Sequence, residues 1–429
     1  MCPENVLNEL RNFHKYSIEI GKFNSSVLQQ YMEPIFEREK YRDENLGEKN
    51  ILIITDAGAG DFILLSPSIR AIRNAFPNDR ITLVCSDSLY SLARTCPYVD
   101  SIFYNKNTGE FELFDELIKW QIEFSEQLLP FRFDLAICFC HQIGSYMLAY
   151  MSGAKIIAGY QSRILCDSVI WPFGLVNHLI NFPIEVNILK PHMVHRYIGI
   201  VEGISNQKIN DLELEIWFEP RCMKFARQIF SEHGFLDKPI FAIVMGGTSA
   251  KKHYPPEKYA ELAQLISEEI PDARFVILGD SKDIVSGEIF SREFGNPDRV
   301  LDLSGKINLA ETSAILSMCS MYIGNDTGTM HVAAAVEIPC LAPFCYPADK
   351  PIVDASVIQM YYPYGVPAII VQPRQSLPEC IDSHEIFFGC QAYNQPHCIT
   401  QIEVETMFAG FHLLLEKIQN NDSSVDLIC

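Results

Sequence analysis

The sequence lacks long apolar runs, an excess of positive charge and a secretion signal at residues 1–5 (MCPEN). No uninterrupted apolar stretch approaches the ~18 residues of a transmembrane helix, so we expect a cytoplasmic protein without a membrane span. Lysine and arginine number 34 against 54 acidic residues, a net charge of −20. General nucleic-acid binding and electrostatic adhesion to an anionic membrane are therefore poor candidates, because both need a positive surface.

A regular cysteine framework is also lacking, although the chain contains 14 cysteines. Several, such as Cys85 and Cys138, follow apolar runs, where a free cysteine behaves as a small buried hydrophobe. Irregular spacing in a chain of this size predicts reduced thiols rather than disulfides.

The length of 429 residues is too great for one ordinary core and predicts two domains. Residues 1–48 are charged and contain hydrophobic residues at roughly helical spacing. This pattern predicts a helical extension or an interaction arm. The predicted boundaries are 1–48 for this extension, 49–205 and 206–405 for the two domains, and 406–429 for a C-terminal helix and tail.

Short apolar runs alternate with helical patterns from residue 51 onward. Residues 51–54 (ILII) read as a strand covered on both faces, and further strands are predicted at 81–84, 134–138 and 155–157. After a polar connection at about 203–219 the alternation restarts. The second set comprises strands at 240–244, 274–278, 300–303, 321–323 and 340–342, helices at 256–269, 309–318, 331–336 and 402–419, and a polar tail. The predicted class is α/β, with two doubly wound parallel sheets.

Ligands of such sheets bind at the carboxyl ends of the strands, and three turns there carry suitable residues. In the first turn, glycines up to Gly60 allow close backbone approach, and Asp61 stands at a helix start, where the helix dipole favours a carboxylate. The turn has neither the third glycine of a dinucleotide fingerprint nor a P-loop, which disfavours a dehydrogenase or a nucleoside triphosphatase. A helix cap without a ligand is the alternative.

The second turn joins Gly247 and Thr248 to the cations Lys251 and Lys252. Hydroxyls, amides and a lysine point charge suit a diphosphate, with a solvated charged loop as the alternative.

The third turn places Asp326, Thr327, Gly328 and Thr329 at the start of a helix rich in small residues. Unpaired amides and the dipole make this an anion site, unless the polar residues only cap the helix. His331 is either a satisfied histidine at the helix start or a substrate contact.

Taken together, the three turns resemble family 9 glycosyltransferases, which include the ADP-heptose heptosyltransferases of lipopolysaccharide assembly. The resemblance spans residues 51–411, and several segments carry it in order. They are 51–77 with Gly60-Asp61 and RAIR at 70–73, GAK at 153–155, KHYPPEKYAEL at 252–262, DLSGK at 302–306 with Leu309, and IGNDTG at 323–328 through His331 and Ala335. It implies the GT-B architecture, with two Rossmann-like domains facing across a cleft, the acceptor on the N-terminal side and the nucleotide sugar on the C-terminal side.

By the same resemblance Asp61 is the catalytic base, and Lys252 holds the donor phosphates. The implied substrate-binding residues are Gly60, Gly247, Thr248, Ile307, Asp326, Thr327, Gly328, Thr329 and His331. For the family's acidic position after the strand at 274–278, both Asp280 and Asp283 are candidates. The extension before residue 48 and the long segment 345–400 depart from the family pattern.

The expected reaction is inverting transfer of a sugar, heptose from ADP-heptose, onto a hydroxyl of a lipopolysaccharide-type glycan, without a required metal cofactor. The alternatives are a protein O-heptosyltransferase or related enzyme with a soluble acceptor, a non-catalytic nucleotide-sugar-binding protein, and a sugar-nucleotide epimerase. Peripheral association with the inner face of the inner membrane and oligomer formation stay open.

Cys345, Cys380, Cys390 and Cys398, with His397 nearby, gather toward the end of the second domain. Thiolate clusters bind zinc or iron, and some protein-modifying relatives carry an iron-binding cysteine cluster in this part of the chain. Unconnected reduced thiols are the alternative.

Overall fold

The computed structural model describes residues 49–106, 114–139, 143–161, 182–185, 192–349, 357–378 and 395–429. The predicted helical extension at 1–48 lies outside these residues. The chain divides into two compact units. The first holds the described residues of Met1–Gly58, Pro67–Lys190 and Val194–Leu212, and the second holds those of Ala59–Ser66, Pro191–Met193 and Glu213–Cys429.

The first unit is built on a parallel six-stranded sheet in the order β3-β2-β1-β4-β5-β6. Its strands are β1 (Asn50–Ile54), β2 (Arg80–Ser86), β3 (Ser101–Asn105), β4 (Leu135–Cys138), β5 (Ile156–Gln161) and β6 (Phe182–Glu185). The helices that accompany this part of the chain are α1 (Ala59–Ala75), α2 (Tyr90–Ala93), α3 (Phe114–Leu128), α4 (Ile143–Met151) and α5 (Met193–Ser205). The central strand β1 is buried from its second residue onward, as expected of a parallel sheet covered on both faces.

Arg73, near the end of α1, holds together the turns that precede β2 and β3. Its guanidinium donates to the carbonyl oxygens of Tyr98 (3.1 Å) and Asp79 (2.8 Å) and pairs with the Asp100 carboxylate (2.6 Å). The same carboxylate accepts from the Ile81 amide (2.7 Å). In this structure Arg73, one of the residues that carry the family resemblance, is therefore a structural residue.

The second unit contains a parallel seven-stranded sheet in the order β13-β12-β11-β10-β7-β8-β9. Its strands are β7 (Ile240–Val244), β8 (Arg274–Leu278), β9 (Val300–Asp302), β10 (Met321–Gly324), β11 (Cys340–Pro343), β12 (Ala368–Val371) and β13 (Val425–Ile428). The helices are α6 (Pro220–Glu232), α7 (Pro256–Glu269), α8 (Ile284–Phe294), α9 (Leu309–Leu316), α10 (Gly328–Ala335), α11 (Val357–Tyr361) and α12 (Val404–Gln419).

Both sheets follow the doubly wound strand order, in which the chain starts in the middle, builds one half and then returns to build the other. The predicted α/β class with two Rossmann-like sheets is confirmed. The order reverses between β1 and β4 in the first unit and between β7 and β10 in the second. Ligands of this fold bind beyond the carboxyl ends of the strands at that point.

The end of the chain differs from the prediction of a polar tail, because residues 425–428 form the edge strand β13. It pairs in parallel with β12, with Val425 opposite Ala368. An edge strand is only half buried and needs no continuous apolar run, so its sequence resembles that of a tail.

Lys417 fastens this strand to helix α12. Its buried ammonium donates to Asp422 (2.7 Å) and Ser424 (2.5 Å) and pairs with Asp426 (2.9 Å). Burial lowers the pKa of Lys417, but its bonds to the two carboxylates outweigh that effect and raise the pKa above its ordinary value.

Within the described ranges, the helices are too short or too polar to cross a membrane.

Replacing Lys417 by methionine keeps the apolar stem and removes the ammonium, so three oxygen atoms lose their shared donor. We expect the free energy of unfolding to fall by on the order of 1–3 kcal/mol, measured by urea denaturation. Because Lys417 lies near the amino end of β13, nucleotide affinity should stay at the wild-type value. Unchanged stability would contradict the role given to this contact.

Candidate functional site

The predicted binding turns meet at one edge of the second sheet. Strands β7 and β10 are neighbours, and their last residues, Val244 and Gly324, lie opposite each other. The turns that follow them, at 245–248 and 325–327, therefore emerge side by side at the switch point of the sheet.

Asn325, directly after β10, ties these turns together and is completely buried. Its side-chain amide donates to the carbonyl oxygen of Met245, in a short contact, and to that of Gly246 (3.1 Å). Its Oδ1 accepts from the Tyr254 amide (3.1 Å) and the Tyr259 hydroxyl (2.8 Å). One side chain thus holds three segments of the edge in place.

Lys252 and Asp326 form an ion pair across the two turns, with Nζ and Oδ2 2.6 Å apart. Their side chains are 22% and 5% exposed, respectively. Burial lowers the pKa of Lys252, but the nearby Asp326 carboxylate outweighs it, and Cys345 and Asp61 raise the pKa further. The result is a pKa above the ordinary value, so Lys252 is a cation at neutral pH.

Helix α10 begins beside this pair, and Thr327 occupies its N-cap position without a cap bond from its side chain. The first two turns of α1, Ala59–Ser66, belong to the same unit and contact α10 directly. A Cβ on Gly60 would lie 2.8 Å from Cδ2 of His331 and 3.0 Å from Cα of Gly328. Two helix N-termini, each with a partial positive charge, therefore converge beside Lys252, and Asp61 lies in the first turn of α1.

His331 lies in this contact with a side chain that is 4% exposed. Burial, and then the positive charge of Lys252, lower its pKa to about 3, so the ring is neutral at physiological pH. Among the described residues its Nδ1 has no hydrogen-bond partner. This disfavours the interpretation of His331 as a satisfied structural histidine.

The glycine turn after β7 reaches Thr327. Gly247 has a φ of +154°, and a Cβ there would lie 3.2 Å from Cγ2 of Thr327. Gly247 and the next residue, Thr248, are exposed, and Thr329 is half-buried in the first turn of α10. The predicted phosphate-binding residues thus border the same small area.

The structure distinguishes the two acidic candidates after β8. The Asp283 carboxylate packs against the backbone of Gly246 and Gly279, where an added Cβ would overlap it. Burial is the main cause of its raised pKa. Asp280 instead caps a short turn by accepting from the Lys282 amide, so Asp283 is the acid that lies next to the β7 turn.

The remaining predicted substrate-binding residue, Ile307, is half-buried in the turn between β9 and α9. All predicted catalytic and substrate-binding residues therefore fall within the second unit: Gly60, Asp61, Gly247, Thr248, Lys252, Ile307, Asp326, Thr327, Gly328, Thr329 and His331. Their assigned roles stay predictions.

Only part of the predicted cysteine metal site can be described, because Cys380 and Cys390 lie outside the described residues. Cys345 is buried near Lys252. Cys398 is buried, with Sγ 3.3 Å from Nδ1 of His397. In the part of the chain that the structure describes, no three histidine, cysteine or acidic side chains are grouped as metal ligands. The metal site stays a prediction.

Sequence reasoning missed the role of Asn325 and its tyrosine partners. One signal was available in the sequence: an asparagine directly follows a buried strand. If such a polar residue is buried as well, its side chain must form hydrogen bonds within the protein.

Replacing Gly60 by alanine should disrupt the contact between the two helix starts, because the added methyl group meets backbone atoms. We expect a loss of about 1–3 kcal/mol in unfolding free energy together with reduced nucleotide affinity. Thermal denaturation and titration with nucleotide measure the two effects.

Gly58→Ala is the matched control, since a Cβ there has nothing within 4 Å. It should stay close to wild type in both measurements. Equal behaviour of the two variants would contradict the close contact.

Solved structures and curated proteins show what this chain is similar to. A family 9 glycosyltransferase from Veillonella parvula superposes with a TM-score of 0.67 at 20% identity, covering 86% of this chain and 97% of that one. The ADP-heptose lipopolysaccharide heptosyltransferase II of Escherichia coli gives 0.64 at 18% identity, covering 86% and 99%. Both likenesses confirm the predicted GT-B fold.

In sequence, lipooligosaccharide heptosyltransferase 2 of Haemophilus influenzae is 24% identical over 306 residues, which cover 68% of this chain and 82% of that protein. The model of glycosyltransferase family 9 (heptosyltransferase) matches residues 122–352, more than half of the chain. The predicted family is confirmed: this chain belongs to glycosyltransferase family 9.

Proposed function

We propose that the protein is an inverting glycosyltransferase that moves heptose from ADP-heptose onto a hydroxyl of a lipopolysaccharide-type glycan. The observation that carries the proposal is the Lys252–Asp326 pair beneath two converging helix N-termini, with Asp61 close enough to raise the pKa of Lys252. The names of the Haemophilus influenzae and Escherichia coli relatives support heptose as the sugar.

The diphosphate of the donor would bind at the start of α10. Amides of Thr327 to Thr329 would donate to phosphate oxygens, as helix N-termini do for anions. Lys252 would add a positive charge and Thr248 a hydroxyl. Neutral His331 would contribute hydrogen bonding rather than charge, because its pKa is about 3.

The nucleoside would lie toward β8 and β9. An acid at the end of the second strand of a Rossmann sheet binds ribose hydroxyls. Asp283, in the turn after β8 and packed against Gly246, would bind the ribose, and Ile307 would give an apolar contact for the base.

In the transfer, the acceptor oxygen attacks the anomeric carbon from the face opposite the diphosphate. Asp61 accepts the hydroxyl proton, and the bond to the diphosphate breaks, with its electron pair leaving on ADP. Charge grows on the diphosphate, where the helix amides and Lys252 stabilise it in the transition state. Donors that are already oriented need little reorganisation, which is why such sites accelerate the reaction.

We propose that this chemistry needs no metal cofactor, since Lys252 and the amides supply the positive charge. A structural zinc or iron held by Cys345, Cys380, Cys390 and Cys398 stays a separate hypothesis that elemental analysis would test.

We propose that the acceptor hydroxyl binds beside Asp61 and that the enzyme acts in the cytoplasm, at the inner face of the inner membrane. The net charge of −20 and the charged segment at residues 1–48 favour a protein or soluble glycan as acceptor instead. A non-catalytic nucleotide-sugar-binding protein is disfavoured by a carboxylate beside the cationic site.

A donor screen tests the proposal directly. ADP-, GDP- and UDP-sugars are compared by thermal shift, where a ligand at 100 times its Kd adds about 2.7 kcal/mol of stability. Transfer of heptose from ADP-heptose to deacylated lipopolysaccharide core, with EDTA present, is then followed by mass spectrometry. We expect stabilisation by ADP-heptose and transfer in EDTA; stabilisation without transfer to any acceptor would favour a binding protein.

Asp61→Asn should remove the proton acceptor but preserve the shape of the site. We expect kcat to fall by roughly 10²- to 10⁴-fold with the Kd for ADP-heptose almost unchanged. Lys252→Met is the comparison, because it should weaken both donor binding and kcat. Turnover near the wild-type rate in Asp61→Asn would reject the base assignment.

A further inference from the structure

We infer that Asn325 is the residue that positions Lys252 and the glycine turn for transfer, a role that rests on the proposed function. Asn325 has no exposed surface. It therefore acts through its neighbours and does not touch the substrate.

The hydrogen-bonding capacity of the Asn325 side chain is fully used within the protein. Its two N–H donors go to the carbonyl oxygens of Met245 and Gly246, and its oxygen accepts from Tyr254 and Tyr259. An asparagine side chain offers two donors and one oxygen with two lone pairs, so nothing is left for a ligand.

The backbone of Asn325 is held as firmly as its side chain. Its amide donates to the Val244 carbonyl (2.9 Å), and its own carbonyl accepts from the Tyr322 hydroxyl (2.7 Å). Asn325 is thus held in place between β7 and β10, and its side chain in turn fixes the neighbouring segments.

The segments fixed by Asn325 are those that carry the ligand-binding groups. Met245 and Gly246 lead into Gly247 and Thr248, whereas Tyr254 follows Lys252 by two residues. Asp326, the partner of Lys252, is the next residue in the chain. A change at position 325 therefore alters both members of the ion pair and the phosphate turn together.

Only an asparagine satisfies all four partners. A carboxylate at this position would place acceptor oxygens against two carbonyl oxygens. Alanine would leave two buried carbonyls, the Tyr254 amide and the Tyr259 hydroxyl without their partner. Unsatisfied buried groups make the turn rearrange toward water, which displaces the groups that bind the donor.

The test uses Asn325→Ala and the milder Tyr259→Phe, which removes a single bond to Oδ1. Hydrogen exchange of peptides covering 245–255 reports the order of the turn, and kcat/KM for ADP-heptose reports transfer. We expect faster exchange in this segment and a fall in kcat/KM of roughly 10²-fold for Asn325→Ala, with a smaller change for Tyr259→Phe. If Asn325→Ala does not fold, Tyr259→Phe alone decides the outcome.

Lys417→Met is the control for general destabilisation, because it loses a buried network of the same unit far along the chain from the turns. It should lower the unfolding midpoint without changing kcat/KM or exchange at 245–255. A similar fall in kcat/KM in this control would show that Asn325 matters only for stability.

A double-mutant cycle with Lys252→Met separates positioning from a general effect. If Asn325 acts through Lys252, then Asn325→Ala costs much less in the Lys252→Met background than in wild type. Losses that add within about twofold would overturn the inference. The wild-type protein could transfer no sugar while its hydrogen exchange at 245–255 still depends on Asn325. That result would reject the proposed donor but support the role of Asn325 in positioning the turn.

Discussion

The buried contact between Lys252 and Asp326 is the interaction on which the site depends. Removing two charges from water costs several kcal/mol per ion, so such a pair is weak support for stability. Here the attraction of the Asp326 carboxylate outweighs the effect of burial, so Lys252 stays charged in the partly buried place where the diphosphate is proposed to bind. The Asp326 carboxylate holds the lysine in position, and neutral His331 adds no competing charge.

The dipoles of two helices add to the positive charge of Lys252, and glycines allow the two helix starts to approach each other closely. The starts of α1 and α10 approach so closely that neither Gly60 nor Gly328 has room for a side chain. The Lys252 ammonium and the two helix ends then act on the same small volume, and contacts within the protein hold all three. Fixed dipoles stabilise the charge that develops during transfer better than mobile water does, because they need no reorganisation.

The sequence alone predicts both sheets and the position of the binding turns, because buried parallel strands are continuous apolar runs and the turns follow them. It does not predict β13, since an edge strand with polar residues carries no such run. Nor does it predict the role of Asn325 or of Arg73, whose partners are far apart in sequence or are backbone carbonyls. The choice between Asp280 and Asp283 also needed coordinates, because two acids in the same turn differ only in what they face.

The net charge of −20 and the proposed dianionic donor are compatible for a physical reason. Charges farther from the donor than about 8 Å are screened at physiological ionic strength, so the overall acidity hardly affects binding. Inside that distance the proposed donor would meet Lys252 and two helix N-termini, and the carboxylates of Asp326 and Asp61 both lie close to the lysine. A local site can therefore attract an anion within an acidic protein, and the same acidity limits non-specific adhesion to anionic lipid.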